Sequence, residues 1–375
     1  MDAFTTPLPK AWQRVRLGDI GKPCMCKRVM KHQTTRYGEI PFYKIGTFGN
    51  TADAFISKKL FLEYKTKYSF PKKGDILISA SGTIGRAVIY DGKPAYFQDS
   101  NIVWIDNDET LVKNDFLFYV YSHVKWNTEH TTILRLYNDN FRNTLIPLPP
   151  LNEQIAIANI LSDVDRYLYS LDALILKKES VKKALSFELL SQRKRLKGFN
   201  QAWQRVRLGD IANYLTSNLS AEQITQQGKI KVYDVNNFIG YTNTTFISDK
   251  PYISIVKDGS VGRVRILPPK TNILSTMGAL IANHRTTTEF LFYLLSNFDF
   301  KNFTSGSIIP HIYFKDYKEK TIFLPPLNEQ IAIANILSAL DNEITSLKNK
   351  KRQFENIKKA LNHDLMSAKI RVLEK

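Results

Sequence analysis

Two long segments of the chain place apolar residues at alternating steps of three and four, the spacing of one coiled-coil face. The second segment repeats the first 176 positions further along the chain. The apolar positions are Leu161, Val164, Leu168, Leu171, Ile175, Leu185 and Leu189, then Leu337, Leu340, Ile344, Leu347, Phe354, Leu361 and Leu365. Lys178 and Lys182 interrupt the first series. The pattern predicts two amphipathic helices of about 40 residues, each about 60 Å long.

The start of each predicted helix is marked by a proline pair. Pro149 and Pro150 cannot lie inside a helix, so the helix is expected to follow them. Asn152 is the predicted cap, and the carboxylate of Glu153 falls in the first turn, where the helix dipole favours it. The second segment repeats the arrangement with Pro325, Pro326, Asn328 and Glu329.

Further repeats show that the chain consists of two similar halves. Two strings recur identically: AWQRVRLGDI at 11–20 and 202–211, and LPPLNEQIAIANILS at 148–162 and 324–338. Weaker echoes join DFLFYVYS at 115–122 to EFLFYLLS at 289–296, and SGTIGR at 81–86 to DGSVGR at 258–263. Each half is therefore a variable block followed by a near-identical helical segment.

The variable blocks have the pattern of α+β domains with many loops. Short β-prone runs at Asp75–Ser79, Arg86–Tyr90 and Asn101–Ile105 are separated by Gly, Asn, Asp and Pro. Phe116–Val120 and Phe290–Leu294 are predicted to be short helices near the end of each block. The fold class expected is thus α+β, with two such domains and two long helices in a pseudo-two-fold repeat.

Charge points to a polyanionic partner. Lys and Arg number 53 against 35 Asp and Glu, a formal net charge of +18 in a chain that is 43% hydrophobic. A membrane surface is the competing polyanion, but the sequence has no long apolar run, and Met1 to Lys10 is polar. Cys24 and Cys26 are too close for a useful disulfide, which fits a reducing compartment. Nucleic acid in the cytoplasm, with no membrane contact, is expected.

The order of variable block, LPPLNEQ-headed helix, second variable block and second such helix resembles the specificity subunit of Type I restriction-modification systems. The resemblance covers nearly the whole chain. It implies target-recognition domains at 1–147 and 198–323, and conserved spacer helices at 148–197 and 324–375 that pack antiparallel. It also implies double-stranded DNA, two methyltransferase subunits and a translocating restriction subunit as partners. It implies no catalytic centre and no cofactor in this chain.

One DNA-reading block at each end of a rigid spacer predicts two half-sites separated by unread base pairs. Because the blocks have diverged, the half-sites are expected to differ, which makes the site asymmetric. Donors and acceptors on loops and strand ends are the candidate base contacts. In the first block these are Lys44, Thr47, Asn50, Ser81, Thr83 and Arg86; in the second they are Asn236, Asn237, Lys257, Ser260, Arg263 and Arg265.

Structural alternatives stay open for these residues. Gly82, Gly85, Gly259 and Gly262 can serve simply as hairpin turns with the adjacent arginines in solvent. A basic run, Lys177 to Lys197, holds eight Lys or Arg against two Glu, with a smaller run at 348–359. The runs are candidates for phosphate or partner contact, or for a solvated helix face.

Catalytic motifs are weak. The residue after each Pro-Pro is leucine or lysine, unlike an adenine methyltransferase, and no GxxxxGK[ST] loop occurs. Asp53 with Glu63-Tyr64-Lys65 has a nuclease-like spacing, and Cys24, Cys26 and His32 offer three zinc ligands where a structural site needs four. The alternative function is a coiled-coil adaptor or a stand-alone nuclease with non-specific nucleic-acid binding.

Overall fold

The computed structural model describes residues 9–130, 134–306 and 308–372, so most of the polar start lies outside the described residues. The chain divides into two compact units. Unit 1 comprises Met1–Leu171 and Lys350–Lys375, and unit 2 comprises Asp172–Asn349. Each unit therefore contains one variable block and a part of both long helices.

Unit 1 mixes short strands with short helices. Its strands are β1 Gln13–Arg16, β2 Gly21–Met25, β3 Ile40–Tyr43, β4 Phe55–Ile56, β5 Ile76–Ser79, β6 Ala87–Ile89, β7 Tyr96–Phe97, β8 Ile102–Asn107, β9 Glu129–His130, β10 Leu134–Arg135 and β11 Leu145–Leu148. Its short helices are α1 Leu17–Ile20, α2 Lys58–Lys67, α3 Asn114–His123 and α4 Asn138–Asn143. The long helix α5, Leu151–Leu190, starts here.

Two larger sheets and two strand pairs, β1-β11 and β9-β10, form the block of unit 1. A four-stranded antiparallel sheet has the order β2-β8-β5-β6, and a three-stranded sheet has the order β4-β3-β7 with β3 and β7 parallel. β1 pairs with β11 just before the long helix, which ties the start of the block to its end. One apolar core lies between the four-stranded sheet, α3 and the helix ends, and a second lies under the three-stranded sheet.

Unit 2 repeats this plan. Its strands are β12 Gln204–Arg207, β13 Ala212–Thr216, β14 Ile230–Tyr233, β15 Phe238–Thr242, β16 Tyr252–Val256, β17 Val264–Leu267, β18 Thr271–Ile273, β19 Met277–Ala282, β20 Thr304–Ser305, β21 His311–Ile312 and β22 Thr321–Leu324. Its helices are α6 Thr288–Ser296, α7 Phe314–Tyr317 and the start of the long α8, Leu327–Met366. Short 3-10 turns at Leu208–Asp210, Ala221–Gln223 and Lys301–Phe303 complete it, as Lys31–Gln33 does in unit 1.

The sheets of unit 2 match those of unit 1 strand for strand. The four-stranded order is β13-β19-β16-β17 and the three-stranded order is β15-β14-β18, again with a parallel pair. Two blocks with divergent sequences therefore share one topology. Unit 2 has no helix in the place of α2, because its chain passes from β15 to β16 through the described residues 243–251 in bends and irregular backbone.

The elements predicted from sequence are confirmed. β5, β6 and β8 lie on the three predicted strand runs, and α3 and α6 extend the two predicted short helices by two or three residues at each end. The predicted cap is wrong by two residues. The backbone N–H of Gln154 already donates to the carbonyl of Pro150, so the helix starts at Leu151, and the Asn152 side chain bonds only its neighbour Glu153.

The long helices pair in each unit. All the apolar positions of the predicted coiled-coil face are buried or half-buried. In unit 1, Asp165 of α5 pairs with Lys358 of α8, and Tyr167 packs on Phe354. Because the partner number falls as the first number rises, the two helices run antiparallel there.

The same pairing occurs in unit 2, where the interrupting lysines find their partners. Lys178 pairs with Glu343 at 2.7 Å, and Lys182 pairs with Asp341. Lysines at core-facing positions thus form interhelical ion pairs that help to set the register. Among the described residues, no helix has both the length and the apolarity needed to cross a membrane.

Candidate nucleic-acid interface

A glycine turn joins β5 to β6 in unit 1. Gly82 and Gly85 have φ values of +67° and +82°, in the left-handed region that favours glycine. The turn closes because Gly85 N–H donates to the carbonyl of Ser79. A Cβ on Gly85 would come within 2.1 Å of the Trp126 indole nitrogen, whereas Gly82 faces open space. The turn is therefore rigid at one glycine and accessible at the other.

Unit 2 builds the same turn between β16 and β17. Gly259 and Gly262 have φ values of +83° and +79°. A Cβ on Gly262 would lie 2.6 Å from Phe300, and Gly259 faces open space. The aromatic residue that packs against the second glycine is Phe300 here and Trp126 in unit 1, and both occupy the same position relative to the turn. The spacing of the paired glycines in the sequence is thus explained by backbone conformation and packing.

We expect Gly85→Ala to lower the free energy of unfolding of unit 1 by about 2–4 kcal/mol, since both backbone strain and overlap with Trp126 oppose it. Gly82→Ala is the matched control and should cost about 1 kcal/mol from strain alone. Urea titrations followed by circular dichroism measure both. Equal costs would show that the contact with Trp126 does not constrain the turn.

The loop after β3 carries the first three candidate residues. Lys44 pairs with Asp53 at 2.8 Å. Thr47 is half-buried, and its hydroxyl bonds the backbone of Lys44, so it shapes the loop. The side chain of Asn50 is exposed at the loop end. Of the three, Asn50 is the most available to an external partner.

The other three candidates of unit 1 lie on the glycine turn. Ser81 is buried, and its hydroxyl donates to the Asn101 side chain at 2.7 Å. Thr83 and Arg86 are exposed. Arg86 also donates from Nη1 to the carbonyl of Phe48 at 2.9 Å, which ties the turn to the loop after β3. The structure thus brings the two predicted segments of this block together.

In unit 2 the corresponding tie is made by a different arginine. Arg265 donates from Nη1 to the carbonyl of Asn236 at 3.0 Å, and its guanidinium lies 5.1 Å from the centre of the Tyr233 ring. Asn236 and Asn237 are exposed at a turn held by the carboxylate of Asp234. The turn after β14 is therefore joined to β17, the strand that follows the glycine turn, whereas in unit 1 the bond comes from Arg86 at the end of the glycine turn itself.

The remaining candidates of unit 2 flank its glycine turn. Ser260 and Arg263 are exposed, and Lys257 is half-buried with its amine 3.8 Å from Asp258. Arg263 corresponds to Arg86 in the backbone, because each carbonyl accepts from the last residue of the preceding strand. Their side chains differ in role, since Arg265 makes the bond in unit 2 that Arg86 makes in unit 1.

We expect Arg263→Ala to weaken DNA binding. If the guanidinium reaches a base edge, the loss is roughly 1–3 kcal/mol and preference relaxes at one position of one half-site. If it reaches a phosphate, affinity falls for all sequences, and the slope of log binding constant against log salt concentration becomes shallower by about one. Arg86→Ala should add a loss of stability, because it also frees the Phe48 carbonyl. If affinity, selectivity and salt dependence are all unchanged in Arg263→Ala, Arg263 does not contact DNA.

Part of the basic run is used inside unit 2. Lys178 and Lys182 pair with carboxylates of α8, as described above, and Arg195 donates twice to Glu329, at 2.6 and 3.2 Å. Lys177 and Lys183 are exposed. The run is therefore partly structural, and its exposed members remain candidates for phosphate or partner contact.

The residues of the nuclease-like and zinc-like patterns have other contacts. Asp53 is paired with Lys44, and Glu63 with Lys67 one turn along α2 at 3.1 Å. Cys26 is buried, and burial raises the pKa of its thiol to about 12. In the described parts of the chain, no cluster of His, Cys, Asp and Glu is arranged to hold a metal ion.

The two identical repeated strings meet at a buried glutamate in each unit, a role that the sequence did not predict. In unit 1, Glu153 accepts from the indole of Trp12 at 2.9 Å and from Arg371 at 2.7 and 3.1 Å. In unit 2, Glu329 accepts from the indole of Trp203 at 3.0 Å and from Arg195. The equal spacing of Arg195 and Arg371 from the two helix starts was the available signal.

The glutamine that follows each buried glutamate is also fully engaged. Gln154 accepts from the backbone of Lys113 and donates to the carbonyls of Leu111 and Pro149, at 2.8–2.9 Å. Gln330 makes the matching contacts in unit 2. A buried amide with all its groups paired fixes the preceding loop to the helix start. The LNEQ motif therefore anchors each block to its long helix.

A second matched cluster lies further along the helices. Asp165 accepts from the Tyr119 hydroxyl at 2.9 Å and pairs with Lys358, whose amine lies over the same ring. Asp341, Tyr293 and Lys182 repeat the cluster in unit 2. Burial and the bond to the carboxylate both raise the pKa of each tyrosine hydroxyl. The tyrosines therefore stay neutral and act as donors.

Each cluster borders a pocket, and the two pockets match. The pocket of unit 1 has a volume of about 870 Å³, and that of unit 2 about 390 Å³. Equivalent lining residues are Ser122, Glu355, Lys358 and Lys359 in unit 1, and Ser296, Glu179, Lys182 and Lys183 in unit 2. The sites differ at His123 and His363 of unit 1, where unit 2 has Asn297 and Phe187. Burial and the neighbouring His363 lower the pKa of His123.

Comparison with known proteins identifies the family. The model of the Type I restriction modification DNA specificity domain matches residues 9–178 and 200–356. The chain belongs to this family, and the resemblance noted from the duplicated LPPLNEQ segments is confirmed.

Relatives of known family agree with this placement. A putative type I restriction enzyme specificity subunit of Haemophilus influenzae is 64% identical over 148 residues, which cover 39% of this chain and 38% of that relative. Two specificity subunits of Methanocaldococcus jannaschii align over longer stretches. The putative MjaX subunit is 30% identical over 80% of this chain and 79% of its own length, and the MjaVIII subunit is 26% identical over 97% and 94%.

Solved structures share the fold. The S subunit of a Type I restriction-modification system from M. genitalium aligns over 96% of this chain and 98% of its own, with a TM-score of 0.63 and 19% identity. A chain from a study of complex assembly in the type I system covers 96% and 99%, with a TM-score of 0.57 and 16% identity. The expected α+β architecture, with two domains and long helices, is confirmed.

Proposed function

We propose that this chain recognises a bipartite, asymmetric site on double-stranded DNA, with one half-site read by each unit. One observation carries the proposal. In both units an arginine at the end of the glycine turn or on the strand after it bonds the loop after β3 or β14, and the two units present different exposed side chains there. Asn50, Thr83 and Arg86 face one half-site, and Asn236, Ser260 and Arg263 face the other. A net charge of +18 supports binding to the DNA backbone.

The proposed boundaries of the readers are 1–147 and 198–323, with the spacer segments 148–197 and 324–375. The spacer sets the distance between half-sites. Methyl transfer, cleavage and their cofactors belong, in this proposal, to partner subunits that act on cytoplasmic DNA, and this chain supplies recognition. The stand-alone nuclease and the adaptor are not favoured, because the candidate metal ligands are paired with lysines and the family is one of specificity domains.

Selection from random duplexes tests the proposal. The full-length chain, alone and mixed with its methyltransferase subunit, is incubated with a random duplex library, and bound duplexes are sequenced. Two different short motifs at a fixed spacing are expected. Binding with no preference would favour the adaptor, and magnesium-dependent cleavage by the isolated chain would favour the nuclease.

The partner part of the proposal is that two copies of a methyltransferase subunit dock, one on each of the matched pockets. Identical partners need equivalent surfaces, and the paired lysines with a neighbouring glutamate provide them in each unit. The restriction subunit then joins this assembly. The H. influenzae and M. jannaschii relatives are named as specificity subunits of type I restriction enzymes, which agrees with this role.

Charge reversal at the pockets should change the stoichiometry. We expect Lys183→Glu or Lys359→Glu to reduce the bound methyltransferase from two copies to one, and the double variant to bind none, as measured by native mass spectrometry. Lys177→Glu, exposed on the same helix outside the pocket, is the control and should retain two. Two copies on the double variant would show that the pockets are not docking sites.

A further inference from the structure

The hairpin formed by β20 and β21 carries an apolar tip beside the glycine turn of unit 2. Ile308 is 91% exposed and Ile309 is 55% exposed. Ile308 is the most exposed large apolar side chain among the residues that the structure describes. Single exposed apolar residues are common on proteins, but two adjacent isoleucines at a loop tip need a reason.

The strand that follows the tip is bonded to the glycine turn. Gly259 N–H donates to the carbonyl of Pro310, and Ile312 N–H donates to the carbonyl of Lys257, both at 2.9 Å. The His311 ring nitrogen lies 2.7 Å from the carboxylate of Asp258. A turn that carries candidate DNA contacts therefore braces the hairpin directly behind its apolar end.

Backbone geometry is also specific at Gly306, which follows β20. Gly306 has a φ of +92°, and a Cβ there would lie 2.3 Å from the carbonyl oxygen of Ile309. The chain can therefore fold back closely at this point only with glycine. The bonds that hold Pro310 and Ile312 in place lower the conformational entropy that is lost when the neighbouring isoleucines enter a confined space.

The glycine turn beside the tip carries two cationic side chains. Lys257 and Arg263 flank this turn, and the amine of Lys257 lies 3.8 Å from the carboxylate of Asp258. An apolar point beside cationic side chains fits duplex DNA, where cations hold phosphates on either side of an apolar side chain inserted between base pairs. A protein interface would instead surround such a point with an apolar core that contains few charged residues.

We propose that Ile308 is a wedge that unit 2 inserts between base pairs of its half-site, with Ile309 beside it. This inference rests on the proposed function and adds that part of the specificity comes from deformation of the DNA. Unstacking costs least at pyrimidine–purine steps, so the selected half-site should contain such a step next to the bases read by the glycine turn.

The test uses the full-length chain and the duplex selected as described above, with 2-aminopurine placed at each step of the second half-site in turn. Wild-type protein should raise the fluorescence at one step, because an unstacked 2-aminopurine emits more strongly. Ile308→Ala should abolish the rise and lower affinity for the selected duplex by about 10- to 100-fold, the effect of burying one isoleucine. Its affinity for unrelated duplexes should be unchanged.

Two variants control the experiment. Ile308→Met keeps an apolar side chain of similar size and should retain the fluorescence rise. Ile331→Ala removes an isoleucine that is 49% exposed on α8 and should behave as wild type. A normal fluorescence rise with Ile308→Ala, or an equal loss of affinity for all duplexes, would overturn the wedge. A wild-type chain that prefers no duplex would contradict the proposed function, whereas a preferred duplex without unstacking would contradict only the wedge.

Discussion

Exchange of residues 1–147 for the corresponding block of a relative should replace one half-site of the recognised sequence and leave the other intact. Affinity for the original site should fall by about 1,000-fold or more, because the exchanged reader then contributes only non-specific binding. The physical reason is that these arginine bonds stay within one block, from Arg86 to Phe48 in the first and from Arg265 on β17 to Asn236 in the second. Sequencing of methylated genomic DNA from cells with the hybrid system measures the outcome.

The reciprocal exchange of residues 198–323 is the matched control and should replace the other half-site. A change of both half-sites in either hybrid would contradict independent reading by the two blocks. β1–β11 and β12–β22 close each block just before its long helix, and the two exchanged segments end one residue before the ends of β11 and β22.

Glu329→Ala should lower the free energy of unfolding of unit 2 by about 3–5 kcal/mol, since it leaves Arg195 without its buried carboxylate. Glu329 is fully buried, and the substitution also removes the acceptor of the Trp203 indole. Urea titration measures the total effect, and hydrogen exchange of peptides from residues 203–337 locates it in this unit.

Lys178→Ala provides the comparison. Its ion pair with Glu343 is partly exposed, with side-chain exposures of 30% and 45%, so its loss should cost about 1 kcal/mol or less. If Glu329→Ala cost no more than Lys178→Ala, the anchoring role of the LNEQ motif would be wrong. Glu153→Ala should reproduce the large effect in unit 1, where Arg371 loses its partner.

The architecture was predictable because it is encoded by local patterns. The coiled-coil face between Leu161 and Leu189 needs only apolar spacing, and the strands β5, β6 and β8 need only short apolar runs between turn residues. The paired glycines likewise indicate turns with positive φ, a backbone conformation that residues with a side chain rarely adopt. These signals depend on neighbours in sequence, which a single chain displays directly.

Side-chain partners were harder to predict because they depend on residues that are distant in sequence. Ser81 is a plausible DNA contact by residue type, but folding buries it against Asn101. Arg86 and Arg263 occupy equal places in the repeat, yet only a three-dimensional structure shows that Arg265 takes over the bond to the neighbouring loop. Glu153 offered a helix-start carboxylate, and its real partner, Arg371, is 218 positions away.

The separation between Glu153 and Arg371 bears on the order in which the chain folds during its synthesis. At about 5–20 residues per second, roughly 10–40 s pass between the appearance of these two residues on the ribosome. Unit 2 is one continuous stretch of chain, and Arg195 is already present when Glu329 is made. Unit 1 needs residues from both ends of the chain. The block that is synthesised second therefore completes its anchor before the block that is synthesised first.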